Sequence, residues 1–196
     1  NGGSQPAQKT PTGINRIDAD LSTTALINGV DERVAADVAI IDTGIQKDHP
    51  DLNVVGGYNC TTAKTSNWGD GNGHGTHVAG TAAAKDNTIG VVGVAPGARL
   101  WGVKVLDNAG SGFVSWVVCG VNFVTKNAGT IGAANMSLGG EFSSATLDTA
   151  IANSVAKGVT YAVAAGNSAK DAASFSPANH PDVIAVSALA ALGGGK

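Results

Sequence analysis

The feature that most constrains the fold is a series of short apolar runs that each stop at polar or glycine-containing residues. Val38-Ala39-Ile40-Ile41 has no polar break and ends at Asp42-Thr43-Gly44. A strand with one wet face alternates apolar and polar residues, whereas an unbroken run suits a parallel strand covered on both faces. Comparable segments fall at 98–106, 131–138, 160–165 and 183–187, with a shorter one at 53–58.

Helical patterns lie between them. Over 113–126, Trp116, Gly120, Phe123 and Val117, Val121, Val124 recur at helical spacing. Further on, Leu147, Ile151 and Val155 share one face, Ser143 or Ser144 can cap the start, and Gly158 suits the stop. His74 opens an alanine-rich stretch, predicted to be a central helix packed on all sides. Short helical pieces are expected between residues 13 and 35, after an extended lead-in. Strand, helix, strand in this order predicts an α/β fold, a parallel sheet with helices on both faces. No linker or repeat divides the 196 residues, so a single domain is expected.

Composition narrows the function. With 43% hydrophobic and 14% charged residues the chain can bury a core. A net charge of −3 without basic runs excludes a nucleic-acid partner. No apolar stretch approaches the roughly 20 residues of a membrane span. No signal-like segment opens the chain, which therefore reads as a mature or processed form. Cys60 and Cys119 are compatible with one disulfide, two buried thiols or external pairing, and are too few for a zinc ribbon.

In a parallel sheet, functional groups gather at the carboxyl ends of strands. Asp42-Thr43-Gly44, Leu106-Asp107-Asn108, Ser137-Leu138-Gly139-Gly140 and Gly166-Asn167 all occupy such ends. A lone Asp after a strand ordinarily caps a turn, and a lone His before a helix is ordinarily structural. The combination, in this order, is far more specific.

The motifs AIIDTGI, GHGTHVAGT, GVAPGARLWGVKVL, ANMSLGG and VAAGN resemble those of the subtilisin-like serine proteases, from about Asp37 to Ser187. The resemblance implies a three-layer α/β/α sandwich with a mostly parallel sheet. It also implies a secreted serine endopeptidase of broad specificity, with some preference for large apolar side chains. Asp42 matches the catalytic aspartate, His74 the general base and Asn167 the oxyanion-hole asparagine. Gly110, Ser111 and Gly112 match one wall of the substrate groove, and Ser137, Leu138 and Gly139 the other. The small residues Ala164, Ala165 and Gly166 would leave room for a substrate side chain.

The resemblance also implies a Ca²⁺ site. Asp51 and Asn87 would give side-chain oxygens, Lys85, Ile89 and Val91 backbone carbonyls, and Gln5 or Gln8 would complete the set. Zinc is disfavoured: His74 and His77 are three apart, where the metalloprotease signature needs four with a Glu between. His77 is expected to pack within its helix with a structural hydrogen bond. Cys60 and Cys119 are not general features of the family. A bridge between them would fit an exported protein, two unpaired thiols are the alternative, and neither lies in a catalytic motif.

The family's nucleophile sits in a Gly-Thr-Ser-Met-Ala type motif, and none occurs here. Ser168, Ser174, Ser176 and Ser187 lack its flanks. The sequence thus reads as a catalytic domain truncated before that segment, with a glycine-rich tail suggesting a poorly ordered or engineered end. It would be a fragment of an active enzyme, one half of a two-chain protease, or a peptide-binding pseudoprotease. Expected partners are protein or peptide substrates, a propeptide, an inhibitor or a complementary C-terminal fragment.

Overall fold

A computed structural model describes residues 5–190, and the glycine-rich tail falls outside them. Six strands form one sheet: β1 (Asp37–Asp42), β2 (Val54–Asn59), β3 (Arg99–Lys104), β4 (Ala133–Met136), β5 (Thr160–Ala164) and β6 (Ile184–Val186). Their order is β2-β3-β1-β4-β5-β6, and every pairing is parallel. The longer helices are α2 (His74–Ala83), α3 (Val114–Lys126) and α4 (Ala145–Val155), preceded by a short α1 (Thr12–Arg16).

The apolar run of β1 serves both faces of the sheet. Ile40 joins Leu100, Ala79 and Ala83 beneath α2. Ala39 and Ile41 join Val103, Val121, Met136, Ile151 and Tyr161 beneath α3 and α4. These two cores make the sandwich of three layers, in agreement with the sequence. Ser144 caps α4 by accepting from Leu147 N–H, and Gly158 adopts φ +92° just beyond the helix.

β3, β4 and β6 are one or two residues tighter at each end than their apolar runs and β5 ends one residue sooner, because the terminal residues turn into loops; β1 instead extends one residue beyond its run at each end, and β2 is shifted one residue later. Two expectations are corrected. The α2 helix is not packed on all sides by the described residues: Gly75, Ala79 and Ala83 are buried, while His77 and Thr81 are exposed beside an apolar groove of about 790 Å³. The His77 ring accordingly makes no hydrogen bond among the described residues.

Cys60 and Cys119 are disulfide-bonded, joining the end of β2 to the middle of α3. The alternative of free thiols is thereby removed.

The site is positioned by the chain reversal at the centre of the sheet. From β1 the chain fills the β3–β2 side, then crosses to β4, β5 and β6. The β1–β3 pairing runs to Asp42↔Lys104, but the β1–β4 pairing stops at Ile40↔Asn135. The strands therefore part at their carboxyl ends, which is where α/β sheets open a crevice.

Candidate active site

Asp42 ends β1 and is fully buried. Its Oδ1 accepts from the Thr43 N–H at 2.7 Å and meets His74 Nδ1 at 2.7 Å. Its Oδ2 has no hydrogen-bond partner among the described residues. His74 is the first residue of α2, and its side chain is 49% exposed. One ring edge is thus held by a buried carboxylate while the rest stays accessible.

The close approach of the two loops depends on glycine. A Cβ on Gly75 would overlap the Gly44 carbonyl oxygen, and one on Gly44 would overlap the Trp68 carbonyl. Gly44 also adopts φ +105°.

His74 lines a cleft of about 450 Å³. Thr43, Leu106, Gly110, Ser111 and Gly112 line it from the β1 and β3 ends; Ser137, Leu138, Gly139 and Phe142 line it from the β4 end. Both predicted substrate walls therefore meet at the histidine. Ala164, Gly166 and Asn167 do not line this cleft. They follow at the carboxyl end of β5, with Gly166 and Asn167 exposed.

Three polar residues were not singled out from the sequence. Asp70, in the polar loop before α2, accepts five hydrogen bonds from Thr43, Asn72, Gly73 and Thr76. Partial burial alone would raise its pKa, but the donors from Gly73, Thr76 and Asn72 outweigh burial and hold the carboxyl at about 2. Lys104 is buried at the end of β3 and donates to the Thr43 carbonyl at 2.6 Å and to Asn108 Oδ1 at 3.1 Å. Burial lowers its pKa, opposed by the nearby carboxylates of Asp70, Asp107 and Asp42. A lysine inside an apolar run was the available signal, since such a residue must be paired.

The third is Asp86, fully buried, which accepts from Gln8 Nε2 and from the Asn28 and Gly29 N–H groups. It stands beside the predicted calcium loop. Asp51 is buried there, with Asn87 Nδ2 donating to it at 2.7 Å and Val91 N–H at 3.4 Å. Burial raises the Asp51 pKa, against these two donors. Gln8 also accepts from Asn87 N–H at 2.6 Å, while Gln5 is exposed. The Lys85 ammonium is engaged by the Pro50 carbonyl at 2.7 Å rather than by Asp51. Asn87 Oδ1 accepts from Ile89 N–H at 2.7 Å and Gln8 Oε1 from Asn87 N–H, so a hard divalent cation here would take its charge from Asp51, its fit depending on these two amides turning their oxygens toward it. No cluster of three His, Cys, Asp or Glu side chains that could hold a metal occurs among the described residues, and a site built mainly from neutral oxygens does not require one.

The pattern of the subtilase family matches residues 35–192. Subtilisin E of Bacillus subtilis (strain 168) is 43% identical over 186 residues, covering 93% of this chain and 47% of the relative. Subtilisin of Bacillus pumilus is 42% identical over 186 residues, covering 93% and 66%. Subtilisin DY of Bacillus licheniformis is 44% identical over 186 residues, covering 93% and 65%. The chain spans about half to two thirds of the length of these curated relatives. On the family pattern and this shared identity, together with the pairing of Asp42 at the end of β1 with His74 at the start of α2, the chain belongs to the subtilase family.

Proposed function

We propose that this chain supplies the acid and base of an Asp-His-Ser triad in a secreted serine endopeptidase of broad specificity. The observation that carries the reading is the 2.7 Å contact between His74 Nδ1 and Asp42 Oδ1 at the mouth of the cleft. An ionised carboxylate can only accept, so Nδ1 carries the proton and Nε2 is left as a base. That nitrogen takes the proton of the attacking serine hydroxyl and returns it to the leaving amine. Asp42 stays ionised and stabilises the imidazolium between those steps.

Asn167 donates its side-chain amide to the carbonyl oxygen as charge develops there. Gly110–Gly112 and Ser137–Gly139 offer two backbone edges to an extended peptide, a mode that selects weakly among side chains. Ala164, Ala165 and Gly166 leave room for a large apolar side chain before the cut. A cleavage-site profile with strict basic preference would contradict this specificity.

No serine from 168 to 196 stands in the family's nucleophile motif. We propose that residues 1–196 contribute to one catalytic domain whose serine is supplied from elsewhere in the protein or by a complementary chain. The alternative to this proposal is an inactive peptide-binding pseudoprotease. Asp51, Asn87 and the carbonyls of Lys85, Ile89 and Val91, with Gln8, would hold Ca²⁺, which supplies rigidity there rather than chemistry. The disulfide supports export.

The deciding experiment treats the full-length protein with a serine-directed phosphonate and assays peptide cleavage. The expected result is stoichiometric labelling, with kcat of Asp42→Asn lowered about 10⁴-fold, as in other triads. Neither labelling nor cleavage by full-length protein would decide for the peptide-binding reading.

A further inference from the structure

The Asp70 carboxylate lies where the β1 loop meets the start of α2. Its Oδ1 accepts from Thr43 Oγ1 at 2.9 Å, Asn72 N at 2.9 Å and Gly73 N at 2.8 Å. Its Oδ2 accepts from Thr76 N at 2.9 Å and Thr76 Oγ1 at 2.6 Å. Each hydroxyl then turns to the opposite element: Thr43 Oγ1 accepts from Gly75 N at 2.9 Å, and Thr76 Oγ1 accepts from Gln46 N at 2.9 Å.

The two threonines form a pair of crossed relays. Thr43 adjoins Asp42 and grips the residue after His74. Thr76 lies in the first turn of α2 and grips the segment that follows Gly44. A hydroxyl has one proton, and an ionised carboxylate accepts without donating. Asp70 therefore claims both hydroxyl protons and leaves lone pairs for the two backbone N–H groups.

We propose that Asp70 is a positioning residue for the Asp42–His74 pair, fixing the polarity of the Thr43 and Thr76 relays that brace the two catalytic loops against each other. A carboxamide cannot substitute for it. Whichever way an Asn side chain sits, its NH₂ meets a backbone donor, because Asn72 and Gly73 N–H face one oxygen and Thr76 N–H the other. The catalytic consequence rests on the protease reading, whereas the geometric one does not.

The test is Asp70→Asn in the full-length protein, with three readouts: thermal unfolding, the low-field NMR signal of the His74 Nδ1 proton, and kcat and KM on a peptide substrate. In a folded variant the expected results are a displaced or broadened signal and kcat lowered about 10- to 100-fold, with KM within about twofold, as misplacement without lost binding predicts. A folded variant with an unchanged signal and unchanged kcat overturns the proposal. If the parent protein cuts nothing, the protease reading fails, and the NMR signal alone decides the positioning role. If Asp70→Asn does not fold, Thr43→Val and Thr43→Ser decide. Val is expected to move the signal, while Ser keeps it; equal behaviour of the two overturns the proposal.

Discussion

Asp70 shows how one side chain registers both geometry and pH. Its pKa, about 2, lies below the ordinary value of 3.8: burial raises it, but the hydrogen bonds from Gly73, Thr76 and Asn72 favour the charged form by more. A depressed carboxyl pKa means that the unfolded chain binds the proton more tightly. The stabilisation is therefore complete above about pH 4 to 5 and is lost as pH falls through about 4 towards 2. Asp70→Asn is expected to lower the urea midpoint relative to the parent near neutral pH, with the difference shrinking over that acid range. A difference that stays constant down to about pH 2 would show that the charge of Asp70 contributes nothing.

Residues of this kind mark the limit of what the sequence discloses. Asp42 and His74 were legible because each stands at a strand end or helix start within a dense motif, and the fold brings them to 2.7 Å. Asp70 was not, because its partners Thr43 and Thr76 are fixed only once two loops pack together. A helix start preceded by an Asp did offer a hint, since short acceptors favour such positions. His77 failed for a related reason: helical periodicity says which residues share a face, but not whether anything covers it.

At the scale of elements, the six strands are readable from short, largely apolar runs, α3 and α4 from helical spacing, and α2 from its alanine-rich composition. The covalent tie between them is not. Cys60 and Cys119 are 59 positions apart, and only the docking of α3 beside β2 brings them together. Tyr58 stacks on Phe123 across the same seam, with ring centroids 5.0 Å apart. Closing a loop of that length removes unfolded-state entropy worth about 4 kcal/mol in the chain-entropy view, a figure that real proteins often undershoot. The double variant Cys60→Ser/Cys119→Ser is expected to unfold about 2–4 kcal/mol more easily while keeping the cleft residues in place. Denaturant melts of the oxidised, reduced and double-variant proteins check this. Coincidence of reduced protein with double variant is expected; no difference from oxidised protein would mean that α3 packing alone holds the seam.

Over the whole molecule, distant segments converge on the loop after α2. Gln8 pairs with Asp86 and Asn87, Asp86 also holds Asn28 and Gly29, and Asn87 reaches Asp51 before β2. The backbone adds Gln8 N–H to the Thr88 carbonyl at 3.1 Å and Gly90 N–H to the Pro6 carbonyl at 2.9 Å. An ion held by Asp51, Asn87 and the loop carbonyls would therefore fasten the N-terminal strap as well as the loop. A ligand that binds only the folded chain stabilises it by about 2.7 kcal/mol at a hundredfold excess over Kd. For a chain of this length that corresponds to a rise in Tm of about 5–10 °C. Chelation of the full-length protein is expected to lower Tm by that amount and to open the segment before α1 to proteolysis first, since the strap is anchored through the same loop. Asp51→Asn should reproduce the chelated Tm and abolish its response to added Ca²⁺. A Tm indifferent to chelator would remove the calcium assignment. A lowered Tm with the strap still protected would instead show that Gln8 and Asp86 hold the N-terminal segment without help from the ion.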